Sequence, residues 1–157
     1  MASHQRRSSV SFVDLYELWT GAQAKAALGV ERAIKQQKLE LVRFSFVDHH
    51  GVLRGKPLIA SEPARAMRGG VTMTSTLLAK DTSHRNVFSV FGAGGGMGIP
   101  EMEGAGNIVM VADPSTFRVL PWAESTGWLL CDIFFDNGKP VPFSTRQLYR
   151  DALEKRA

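Results

Sequence analysis

The stretch LELVRFSFVDHHGVLRGKPLI, residues 39–59, decides the reading of the fold. Over 39–47 the chain alternates, with Leu39, Leu41, Arg43, Ser45 and Val47 on one side and Val42, Phe44 and Phe46 on the other. A period of two, carried by β-branched and aromatic residues, predicts a strand. Residues 52–59 predict a second strand. Between them stands Asp48-His49-His50-Gly51. Polar residues ending in glycine between two apolar runs make a hairpin turn, with the glycine supplying positive φ. Asp48 and Gly51 are expected to shape the turn, Arg54 and Lys56 to line the second strand, and both histidines to face solvent. A metal reading is weaker. Adjacent side chains on an extended segment point to opposite faces, and the other histidines, His4 and His84, lie at no metal-ligand spacing.

Working outward, residues 12–19 present an apolar face of Phe12, Val13, Leu15, Tyr16, Leu18 and Trp19 behind a capping Ser11, which predicts a helix. A second helix is expected over 22–37, with Gly29 marking a break. After the hairpin, 61–68 reads as a short helix capped by Ser61, with Glu62 at its positive end and Pro63 in the first turn. Residues 71–78 are a third extended candidate. Residues 81–107 hold seven glycines and little periodicity, which predicts a long structureless loop acting as a flexible flap. Strands are expected again at 107–112, 117–120 and 128–135, followed by an Asp136-Asn137-Gly138 turn and a last helix over 145–156 behind Ser144. The order predicts an α+β fold: a β-grasp-like mixed sheet with a crossing helix, preceded by N-terminal helices. Residues 1–10, small and polar, are expected to be a disordered lead-in.

Composition narrows the function classes. Hydrophobic residues make up 44% and charged residues 22% of the 157, an ordinary globular balance. The net charge is +4, but the basic residues are dispersed and no stretch interleaves them with stacking aromatics, so neither nucleic acid nor membrane is expected as a partner. No apolar run reaches the ~18 residues of a membrane span, and no apolar stretch follows the basic N-terminus as in a secretory signal. The single cysteine, Cys131, fits a reducing, cytoplasmic setting. It is expected to be buried as a small hydrophobe, since no histidine is placed to activate it. The glycine run GAGGGMG at 92–98 lacks the Gly-Lys-Ser/Thr and the helix start that a phosphate cradle needs. Ser75 and Thr76 have no base at a recognisable spacing. Trp19, Trp122 and Trp128 read as core or interface residues.

The segments LVRFSFVDHHGVLRGKPL (41–58) and NIVMVADPSTFRVLPWAESTGWLLCDIFFDNGKPVPFSTRQLYRDAL (107–153) together resemble the N-terminal part of the glutamine synthetase family. The matching elements are the Asp-x-x-Gly hairpin, Arg54-Gly55-Lys56, Asp113-Pro114-Ser115-Thr116, Pro121-Trp122, Cys131-Asp132 and Thr145-Arg146-Gln147-Leu148. The Arg-Gly-Lys strand and Phe117-Arg118-x-Leu120-Pro121-Trp122 resemble the glutamine synthetase-like ligases of the γ-glutamylpolyamine synthetase type. The resemblance implies a β-grasp domain over 39–142 behind helices at 11–38. It implies that 143–157 begins a catalytic domain that this chain lacks, so that this portion alone is inactive. ATP and Mg2+ or Mn2+ would bind in that missing domain, with no metal or cofactor site here. The whole protein would join glutamate to ammonia or an amine, as part of nitrogen metabolism such as glutamine biosynthesis. Its partners would be its own catalytic domain and neighbouring subunits of a homo-oligomeric ring.

In that family the N-terminal domain presents an Asp-Gly-Ser-Ser loop to the neighbour's active site, where the acid helps position ammonium. The matching stretch runs from Val71 to Leu77, with Thr74, Ser75 and Thr76 in the loop. Met73 falls where the acid should be, and Lys80 falls near a tryptophan position. Asp81 substitutes for the acid only if the loop is shifted. A cationic site needs an anion, so the change favours a larger amine over ammonia. The alternative is a non-catalytic β-grasp interaction module. With the partner domain missing, Trp122, Phe134, Phe135 and Leu148 are expected to be exposed.

Overall fold

The computed structural model describes residues 10–156, so all of the expected lead-in except Val10 lies outside the described residues. Two helices open the chain. α1 is a single turn, Phe12–Leu15, shorter than expected, with Ser11 Oγ accepting from Asp14 N–H. α2 runs Gly21–Gln36 behind a capping box in which Thr20 and Gln23 satisfy each other's backbone N–H. Gly29 does not break it. The box and the buried stripe of Ala27, Val30 and Ile34 outweigh a glycine cost of about 1 kcal/mol.

β1 (Leu41–Val47) and β2 (Leu53–Ile59) form the expected antiparallel hairpin. α3 follows at Pro63–Gly69 and ends at Gly70, whose φ is +74°. Ser61 does not cap it; the cap is Glu62, which contributes only its backbone carbonyl, to Ala66 N–H. β3 is limited to Val71–Thr74, because the Thr74 hydroxyl accepts from Thr76 N–H and turns Ser75–Ala79 into a 3₁₀ helix. β4 (Asn107–Ala112), a two-residue β5 (Arg118–Val119), β6 (Thr126–Phe135) and α4 (Thr145–Glu154) complete the order.

The sheet order is β2-β1-β6-β4-β3, with β5 beside β6. β1 and β6 are parallel; the other pairs are antiparallel. One half of β6 pairs β1 and the other half pairs β4, so this ten-residue strand joins the two halves of the sheet. The parallel central pair flanked by antiparallel neighbours is the expected mixed α+β arrangement. The core joins Val42, Phe44, Phe46, Leu129, Ile133 and Met110 to the buried stripes of α2 and α3. The second face of β4, Val109 and Val111, packs on Val13 of α1. Lys56 Nζ, on edge strand β2, donates to Thr72 O on the opposite edge strand at 2.7 Å, so the sheet curls until its edges approach.

Residues 81–107 are not a structureless flap. They hold 3₁₀ turns at Gly96–Gly98 and Pro100–Ala105, and Val90 and Met102 are buried. Glu101 ties the segment to the β6 turn through Lys139 at 2.9 Å and Asn137 at 3.1 Å.

Candidate functional site

The hairpin turn is built around Asp48, which is 2% exposed. Its Oδ1 accepts from His50 and Val52 N–H, each at 2.9 Å, and its Oδ2 accepts from Arg54 Nε at 2.8 Å. Burial pushes this carboxyl up, but the backbone and Arg54 hydrogen bonds outweigh it and hold the group below its ordinary value. Gly51, at φ +78°, closes the turn. Both histidine rings are exposed, as expected. His50 is nonetheless employed, its Nε2 lying 2.9 Å from Lys80 O. Arg54 Nη1 lies 3.1 Å from His84 Nδ1, and Lys80 Nζ donates to His84 O at 3.1 Å. The hairpin turn is therefore clasped to the 80–85 turn at two points.

The loop residues named from the sequence divide between inside and outside. Met73 pairs with Ile108 in the β3–β4 ladder, and its side chain packs partly buried against the core. Thr74 and Thr76 bring their hydroxyls within 3.0 Å of each other. Ser75 is fully buried; its N–H donates to Gly106 O at 2.7 Å, while its Oγ has no partner among the described residues. Asp81 stands apart from these four. Its Oδ1 accepts from Ser83 N–H at 2.8 Å and Arg85 N–H at 2.9 Å, closing the 81–85 turn. Asp81 also lines a cleft of about 480 Å³ between the hairpin turn, the 78–81 segment, the glycine-rich segment and Phe143. Among the described residues no cluster of three or more His, Cys, Asp or Glu is placed to hold a metal ion.

Sequence reasoning missed an ionic junction. Arg146, at the start of α4, donates through Nη2 to Asp113 Oδ2 at 2.6 Å and through Nε to Asp132 Oδ1 at 3.0 Å. Arg150, one turn later, pairs with the same Asp132 oxygen. Burial pushes the Asp113 carboxyl up, but hydrogen bonds from Ser115 and Gln23 and the Arg146 charge bring it below its ordinary value. Burial lowers the Arg146 guanidinium, and the two aspartates outweigh it in the other direction. Thr145 Oγ1 donates to Val47 O at 3.0 Å, fixing the helix start beside the hairpin. Asp113, Asp132 and Arg146 each belong to a different short motif quoted above; their convergence is the signal that spacing alone did not carry. Cys131, next to Asp132, is 1% exposed, and burial pushes its thiol well up, so it is no nucleophile.

No protein-family model matches the chain. A γ-glutamylanilide synthase of Acinetobacter sp is 38% identical over 148 residues, covering 92% of this chain and 30% of that protein. A glutamate–isopropylamine ligase of Pseudomonas sp is 33% identical over 132 residues, covering 83% of this chain and 28% of that protein. This chain thus spans about 30% of the length of the curated relatives it matches. The ligand-free structure of GmaS superposes with a TM-score of 0.60 at 23% identity, over 80% of this chain and 25% of that one, which shows the shared fold. A type-1 glutamine synthetase of Dictyostelium discoideum is 31% identical over 122 residues, covering 78% of this chain and 22% of that protein. Through these relatives the chain belongs to the glutamine synthetase family, as its N-terminal β-grasp portion.

Proposed function

We propose that this chain is the N-terminal portion of an ATP-dependent ligase that joins glutamate to an amine rather than to ammonia. It works in the cytoplasm and contributes subunit contacts and an active-site-closing loop. The observation that carries the amine reading is the loop at 71–81. Where the family pattern has a carboxylate, Met73 offers a thioether packed against the core. The nearest following carboxylate, Asp81, engages two backbone N–H groups through Oδ1. At the Met73 position an ammonium ion would lack the anion it needs. The names of two relatives, an anilide synthase and an isopropylamine ligase, support an amine with a hydrocarbon body.

ATP and its Mg2+ or Mn2+ belong, in this reading, to a catalytic domain that follows residue 142. Among the described residues none are grouped to hold a metal ion, and no step of the reaction is assigned to them. α4 supports the domain boundary: it has no buried residue of its own, and Leu148, Tyr149 and Leu153 stand exposed along it. The test is γ-glutamyl product formation by the gene product that carries this chain, with glutamate, ATP and a panel of ammonia, isopropylamine, aniline and ethanolamine. Product with an amine, and little with ammonia, is the expected result. Ammonia used as well as any amine would defeat the amine reading. An exposed edge strand, β2, favours a second reading, a non-catalytic interaction module. Failure of every amine and of ammonia would leave that one.

A further inference from the structure

We propose that the cleft beside Asp81 seats the hydrocarbon part of the amine, and that it selects an amine carrying an aromatic ring. This rests on the ligase reading above. Leu78 and Ala79, both 2% exposed, contribute to the cleft, which is also lined by Val87, Phe88, Met97 and Phe143. These come from three separate parts of the chain, so the apolar lining is a product of the fold and not of one apolar run.

The polar groups around it are mostly engaged elsewhere. His50 Nε2 meets Lys80 O, Lys80 Nζ donates to His84 O, and Asp81 Oδ1 accepts two backbone N–H groups. A small polar molecule gains little there, whereas a hydrocarbon gains in proportion to the area it removes from water. The size argues the same way. A dry cavity of about 150 Å³ already holds benzene. A cleft of about 480 Å³ lies within the usual range of small-ligand sites and exceeds what ammonia or isopropylamine fills. Val87 and Phe88 remain 58% and 47% exposed, apolar surface that a seated ring would cover. The clasp of the hairpin to the 80–85 turn holds one wall in place before any ligand arrives, which limits the ordering cost of binding.

The experiment is a titration of the 157-residue chain with aniline, isopropylamine and ammonium chloride, followed by NMR at the Met97 methyl and the Phe88 and Phe143 rings. Saturable shifts with aniline, weaker ones with isopropylamine and none with ammonium are expected. Phe88→Ala, at a half-exposed position, should weaken aniline binding on the order of ten-fold. Val87→Trp, which fills the cleft from its exposed side, should abolish it. An absence of saturable shifts at Met97, or an aniline affinity indifferent to both variants, overturns the proposal. So does occupation of the cleft by a protein partner that aniline cannot displace. The ligase assay separates the two readings. γ-Glutamyl amide formed while the cleft stays silent to aniline sinks the cleft assignment alone. A cleft that binds aniline in a gene product that makes no amide sinks the ligase reading, and the cleft remains an aromatic-amine site.

Discussion

At Gly55 an added Cβ would stand 2.0 Å from the Phe44 carbonyl oxygen and 2.9 Å from Ser45 Cα, both backbone atoms of the neighbouring strand. Neither can yield without parting β1 from β2. Gly55→Ala should therefore destabilise the chain by about 2–3 kcal/mol, read as a lower urea midpoint at unchanged slope. Ser75 makes the opposite case. Its buried hydroxyl has no partner among the described residues, so Ser75→Ala should be neutral or stabilising by up to about 1 kcal/mol in the same measurement. A Ser75→Ala loss as large as that of Gly55→Ala would refute this account of the two sites. Asp48 shows how far one residue is legible. Its turn role follows from its place between two apolar runs. Its ion pair with Arg54 depends on the register that sets Phe46 opposite Arg54.

α4 is the element whose attachment is most specific. It is held by Arg146 and Arg150 on Asp113 and Asp132 and by Thr145 on Val47 O. Arg146→Met should cost about 2 kcal/mol and leave two aspartates facing each other with one counter-charge fewer. Amide exchange across 145–154 should accelerate more than exchange in β1; equal protection in variant and parent would show that the junction does not hold the helix. The junction and the hairpin turn together predict an acid response. Asp48 and Asp113 are held below their ordinary values in the fold, so their contribution is full above the unfolded carboxylate range. It is lost as pH falls through their lowered folded values, below about pH 4. Stability should fall there, and fall less steeply in Arg146→Met, because Asp113 then loses one of the groups that lower it. Element types were readable from period and capping signals. The exceptions have local causes: the Thr74 hydroxyl ends β3, and buried Val90 and Met102 fold back a segment whose glycines read as a free loop.

On the scale of the whole molecule, the expected exposure divides. Trp122 is 73% and Leu148 50% exposed, while Phe135 is buried in the core and Phe134 half-buried against Val109 and Val111. Phe135 follows the inward side of β6, a face that the sequence could not assign without knowing which strand lies beside it. Tyr149 and Leu153 add 68% and 51% exposure along α4. We expect the 157-residue chain to self-associate as concentration rises, and Trp122→Ser combined with Leu153→Glu to reduce it. A scattering mass that stays monomeric throughout would count against that.

The sequence by itself determined the alternating strand at 39–47, the hairpin, the order of helices and strands, and the family to which the motifs belong. All of these rest on local period, turn chemistry and ordered short motifs, which a linear chain displays directly. Only the tertiary structure decided that Asp113, Asp132 and Arg146 meet, that Met73 packs against the core and Ser75 is buried, and that an apolar cleft forms beside Asp81. Those depend on strand register and on the curl of the sheet. Both are set by the sum of many weak packing contacts between distant segments, which no single stretch of sequence carries.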